Sequence, residues 1–100
     1  MKLASLTLLF SLMVSQTFAA SIEGNIVCKV SAERSAECFH ADEKGNINYD
    51  RMIENGGLEL AMALLEAGGQ DEHGMGSTYI SANDVVCADD GVSLKCQIAE

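Results

Sequence analysis

The sequence predicts an α+β domain: a small antiparallel sheet of two β-hairpins with a central helix packed on one face, stapled by disulfides. Three observations carry this. A leader-like segment precedes four cysteines, a short pattern around those cysteines occurs twice, and between the two copies lies one strongly helical stretch bracketed by paired glycines.

The leader decides how the cysteines are read. Lys2 gives a positive start, and Leu3 to Val14 is apolar apart from Ser5, Thr7 and Ser11. That is the length of a signal-peptide core and too short to cross a bilayer. Thr17-Phe18-Ala19 sets small residues three and one before a cut ahead of Ala20, so cleavage after Ala19 is expected. No cysteine follows the apolar run to take a lipid anchor, and nothing later is long and apolar enough to stop transfer, so no membrane insertion is expected after cleavage. Residues 1–19 are thus a signal peptide and 20–100 a single small domain, exported to the periplasm or secreted.

A domain of 81 residues buries only about 60% of its unfolded surface and commonly needs a covalent staple. Cys28, Cys38, Cys87 and Cys96 form an even set in an oxidising compartment, which reads as disulfides. Zinc sites favour close pairs, whereas nine and eight residues intervene here. Beyond Ala19, five Lys and Arg stand against fifteen Asp and Glu, a formal charge of −10. That charge disfavours nucleic acid and anionic lipid as partners and leaves a basic protein as the partner it suits.

In chain order, Val27-Cys28 followed by Ser35-Ala36-Glu37-Cys38-Phe39-His40-Ala41 is echoed by Val86-Cys87 followed by Ser93-Leu94-Lys95-Cys96-Gln97-Ile98-Ala99. Each copy reads as one supersecondary unit. The first is a hairpin of Asn25 to Val30 and Ser35 to Ala41 turning at Ala32-Glu33-Arg34, although Ser31 is also placed to cap a short helix through Ala36 and Phe39. Gly56-Gly57 and Gly68-Gly69 bracket a helix over 58–67, preceded by a helical turn over 50–55. Glu59 and Glu66 share its wet side, leaving Leu58, Leu60, Ala61, Leu64 and Leu65 for apolar cover. Residues 68–77, rich in glycine, read as a loop, and Thr78 to Ser81 as a strand. The second copy is a hairpin turning at Asp89-Asp90-Gly91.

Four cysteines allow three pairings. The echo favours Cys28 with Cys38 and Cys87 with Cys96. A three-residue turn at Ala32 to Arg34 sets the first pair directly opposite, but a turn at Asp89 to Gly91 sets the second pair out of register, so connectivity stays open.

The segment His40-Ala41-Asp42-Glu43-Lys44-Gly45-Asn46-Ile47-Asn48-Tyr49-Asp50-Arg51 resembles the twelve-residue calcium loop of EF-hand proteins, with Gly45 at the sharp turn and Ile47 at the apolar place. It departs from that pattern where His40, Lys44 and Arg51 stand in place of oxygen ligands. A transition-metal site drawing on His40, Asp42 and His73 requires the glycine-rich loop to fold back. The chain carries no signature of a serine hydrolase, metalloprotease, nucleotide-binding loop or C-x-x-C redox pair. A non-enzymatic, cofactor-free interaction module, inhibitor-like in character, is therefore the expectation. An extracytoplasmic divalent-metal-binding protein and a purely structural role are the alternatives.

Overall fold

A computed structural model describes residues 20–99. The expected signal peptide, residues 1–19, lies outside the described residues. Among these described residues are six antiparallel strands and one helix: β1 (Ala20–Val30), β2 (Ala36–Ala41), β3 (Ile47–Met52), α1 (Gly57–Glu66), β4 (Gln70–Gly74), β5 (Ser77–Asp89) and β6 (Leu94–Ile98). Strand order is β3-β2-β1-β5-β4, with β6 also paired to β5. Gln70 to Gly74 pairs with Ser77 to Ser81 of β5, and Leu94 to Ile98 with Val85 to Asp89, so β4 and β6 share one edge of the long strand. Its other edge carries β1 along nearly its whole length.

The two longest strands form because β-branched and apolar residues concentrate there: Ile26, Val27 and Val30 in β1, Ile80, Val85 and Val86 in β5. Their ladder is interrupted once. Only Asn25 stands between the Gly24–Val85 and Ile26–Ala82 pairs, opposite both Asn83 and Asp84, with Asp84 at φ 51°. The Asn25 side chain fills that bulge, its Oδ1 accepting the Asp84 N–H at 3.0 Å while its Nδ2 donates to the Asp42 carbonyl at 2.9 Å.

On one face of the sheet, Ile26, Cys28, Cys38, Ile80, Ala82, Val85 and Cys87 meet Leu60, Ala61 and Leu64 of α1, and Ile53 closes one end. These helical positions follow the three-and-four spacing of a single buried stripe. The helix stops as its glycines require: the Gly68 N–H reaches the Leu65 carbonyl at 3.1 Å and the Gly69 N–H the Leu64 carbonyl at 2.8 Å, the paired bonds of a Schellman motif. On the opposite face Val27 and Phe39 are buried, with Tyr49 edge-on to Phe39 at a centroid distance of 5.1 Å.

Both disulfides join neighbours within one hairpin, Cys28–Cys38 across β1 and β2 and Cys87–Cys96 across β5 and β6. The first turn forms as its sequence suggests. Ser31 N–H bonds the Ser35 carbonyl at 2.8 Å, Arg34 adopts φ 64°, and three residues lie between. Residues 36–41 are strand, not helix. Counting outward from the Ser31–Ser35 bond, every second pair is hydrogen-bonded, which makes Cys28–Cys38 a non-bonded pair, the kind whose side chains approach most closely.

The second turn differs from expectation. Asp90 N–H bonds the Ser93 carbonyl at 3.3 Å, so the two-residue turn is Gly91-Val92 and Cys87 lies directly opposite Cys96. The reason is local. Asp90 Oδ1 accepts the N–H groups of Val92 (2.8 Å) and Ser93 (2.9 Å), Asp89 Oδ1 that of Gly91 (2.9 Å), and Gly91 takes φ 88° as first central residue of the turn.

Two further expectations are corrected. Residues 50–55 are not a helical turn: β3 runs to Met52, and the Ile53 N–H then bonds the Cys38 carbonyl at 2.8 Å. Residues 68–77 are not a loop but hold β4, whose two-residue turn at Met75-Gly76 has φ 50° and 79°, the positive pair of a type I′ hairpin. Methionine rather than asparagine at its first place hides that turn from a sequence reading.

Candidate functional site

Helix α1 buries only part of its circumference. Leu60, Ala61 and Leu64 are fully covered, while Leu58 and Ala63 are half-buried and Met62 is 51% exposed. This flank faces the tip of the β5–β6 hairpin, held rigidly by the Asp89 and Asp90 side-chain caps. Between them lies an open groove of about 580 Å³, lined by Leu58, Glu59, Met62, Ala63 and Glu66 on the helix side and Val92, Ser93 and Leu94 on the hairpin side. Val92 stands at the rim, 91% exposed.

The groove is apolar along its length and acidic at its lip. Glu59 and Glu66, seven residues apart, are spaced by roughly 10 Å along the axis. Asp89 and Asp90 add charge to the neighbouring hairpin but do not line the groove. Lys95 is the sole cation of β5 and β6, and its Nζ lies 3.9 Å from Asp90 Oδ2. The N–H groups of Ser93 and Val92, with a smaller contribution from Lys95, hold the Asp90 carboxyl below the usual range, so it is anionic at neutral pH. Glu66 sits in the last turn of α1, where the helix dipole favours a cation, and no basic residue is present there.

His40, Asp42 and His73, the candidates for the alternative metal-binding reading, are not brought together. His40 is on β2, its pKa lowered by burial and then by the nearby charge of Arg51. His73 is on β4, with β1 and β5 lying between the two strands. Asp42 belongs to the β2–β3 turn, where its Oδ1 accepts the N–H groups of Lys44 (2.9 Å) and Asn46 (2.8 Å) and its Oδ2 accepts Asn46 Nδ2 (3.1 Å). These bonds hold its pKa below the usual carboxylate value and occupy three of its roughly four acceptor sites. The segment resembling a calcium loop is thus a β-hairpin with a self-capped turn. Among the described residues no three His, Cys, Asp or Glu side chains converge.

A different grouping escaped the sequence reading. Thr78 Oγ1 lies 3.0 Å from His73 Nδ1, and His73 Nε2 lies 3.4 Å from Asp71 Oδ2. The order is that of nucleophile, base and orienting acid. Yet the imidazole is 74% exposed and the carboxylate 52%, so water competes with both contacts, and the site lacks the dry surroundings in which a base activates a hydroxyl. Val92 and Met62 were missed for another reason: a groove wall built from a turn and a helix flank has no local pattern, and only the acidic pair on one helix side was legible.

No protein family, no curated protein and no solved structure matches this chain.

Proposed function

We propose that this domain is an exported binding module, inhibitor-like in character, that holds a basic protein partner in the groove between α1 and the β5–β6 hairpin. In this reading the two disulfide-closed hairpins are the stiff frame, and the helix on one face supplies the recognising wall. Its two disulfides fit an oxidising, extracytoplasmic environment.

The carrying observation is the combination in that groove of exposed apolar side chains with acidic ones, Glu59 and Glu66, that have no cationic partner among the described residues. Leu58, Met62 and Val92 supply surface that gains by leaving water, and Glu59 and Glu66 at the lip select a cation-bearing occupant. Glu66 strengthens the reading, because it opposes the helix dipole where a base stabilises the fold. The −10 formal charge of residues 20–100 steers a basic partner over longer range.

The test is fluorescence anisotropy with a labelled arginine-rich amphipathic peptide and its glutamate-rich counterpart. Binding of the cationic peptide alone is expected, weakening as salt is raised. The double variant Glu59→Lys/Glu66→Lys loses at least about tenfold in affinity with its melting temperature within a few degrees of the parent, since both positions face water. Equal binding of both peptides, or of neither, overturns the proposal.

A further inference from the structure

Among the described residues, β6 is the outer strand left open to pair with another chain beside the groove, while Ala20 to Gly24 of β1 also lack a partner on the β2 side. Strand β3 is irregular: one residue of β2, His40, faces four of β3 between the Phe39–Met52 and Ala41–Ile47 pairs. Strand β4 is guarded by Asp71, Glu72 and His73, every residue of it exposed. Charges and bulges of this kind are how edges are kept from pairing. By contrast β6 holds five consecutive pairs with β5 in unbroken register, carries neither proline nor bulge, and bears one charge, Lys95, set against Asp90.

Its hydrogen-bonding parity is fixed at both ends. Ser93 accepts from Asp90 and Ala99 donates to Asp84, so odd-numbered residues face β5. Leu94, Cys96 and Ile98 therefore turn their N–H and C=O groups outward, and among the described residues nothing pairs with them. Their side chains pack toward the helix-covered core. Leu94, the first residue of this edge, also lines the groove together with Glu59 and Glu66.

We infer that the basic partner binds as an extended segment that adds a seventh strand to the sheet at the outer edge of β6. This rests on the binding reading above and specifies its geometry. Three outward-facing residues offer about six main-chain hydrogen bonds. Side chains of the incoming strand opposite Leu94, Cys96 and Ile98 project to the helix side. Arginine or lysine there lays its methylene stem over Leu94, Leu58 and Met62 and carries its charge to Glu59 and Glu66. The same charges argue against a second copy of this chain, which would bring −10 against −10.

The experiment uses the oxidised domain and a synthetic peptide of alternating arginine and threonine, about eight residues long, with its single N-methyl derivatives at each position. N-methylation at every second residue is expected to weaken binding by about tenfold or more, and the intervening positions to be nearly silent. Amide exchange by NMR gives an independent readout. Leu94, Cys96 and Ile98 gain protection with peptide, while Lys95 and Gln97 are already protected. If the peptide binds but its penalties do not alternate, or the three amides stay unprotected, the edge pairing is overturned and groove binding stands. Failure of any cationic peptide to bind overturns the groove reading itself. A stable dimer of the domain that peptide does not dissociate assigns the edge to a second copy and overturns the inference as well.

Discussion

Gly56 shows how one missing side chain sets the spacing between helix and sheet. A Cβ built there lies 2.8 Å from the Cys38 Cβ and 3.0 Å from the Ile53 carbonyl oxygen. Its φ of −77° suits any residue, so the requirement is close approach rather than conformational freedom. Gly56→Ala therefore loses about 2 kcal/mol in a urea melt, because the disulfide-bonded Cys38 does not yield and alanine is no better than glycine at this N-cap position. A parent-like melt means the helix start sits farther from β2 than this. Asp42 and Asp90 form a second pair of single-residue devices. Both carboxyl pKa values are lowered in the fold, chiefly by backbone N–H donors, so each stabilises the fold above the unfolded carboxylate pKa and this is lost as pH falls through the depressed value. The amide in Asp42→Asn/Asp90→Asn keeps an acceptor but does not titrate. Its acid unfolding curve should be flatter below about pH 4 than that of the parent. A curve of unchanged steepness places the acid sensitivity elsewhere.

Among the elements, α1 has the sharpest consequences. Leu64 is fully buried against the sheet, so Leu64→Asp leaves an unpaired carboxylate in the core and unfolds or severely destabilises the domain. Glu66 faces water, and Glu66→Ala changes stability by under about 0.5 kcal/mol. Similar urea midpoints for the two variants contradict the packed orientation of the helix. That orientation was legible in the sequence because leucine, alanine and glutamate repeat with the helical period between strong stops. The first hairpin was legible too, since the spacing of Cys28 and Cys38 about a three-residue turn admits direct opposition. The strand β4 was not. Gln70-Asp71-Glu72-His73-Gly74 contains no apolar residue to reveal an alternation, and it is a strand only because β5 offers it an edge. Likewise the register at Cys87–Cys96 depends on which aspartate caps the turn, a choice between near-equals that side-chain geometry makes and composition does not. For the groove, Glu59 and Glu66 could be placed together by spacing, whereas their meeting with Val92 and Leu94 is a tertiary fact.

For the whole molecule, covalent closure outweighs any ion. Loops spanning sequence separations of 10 and 9 each remove roughly 2.5 to 3 kcal/mol of unfolded-chain freedom in the entropy treatment, against about 5 to 15 kcal/mol for a complete domain. Reduction is therefore expected to lower the melting temperature by ten degrees or more, on the order of ΔΔG divided by the unfolding entropy, while EDTA leaves it in place. A chelator-sensitive, reductant-insensitive melt contradicts this and returns attention to a bound ion. The division of labour behind that expectation has a consequence in time. Each cystine joins residues of one hairpin, while the two halves of the chain meet through the β1–β5 ladder, whose partners Ala20–Val30 and Thr78–Asp89 come from opposite ends of the domain. The first hairpin can close and oxidise with its own residues alone, before β5 is in place to receive β1. Correct cross-linking and correct assembly are thus separate events, and a chain with both native bonds and no β1–β5 ladder is a natural early species. Within it, β1 presents a bare apolar edge. The hazard for this protein while it folds is then unguarded strand pairing between chains, rather than mispaired sulfur.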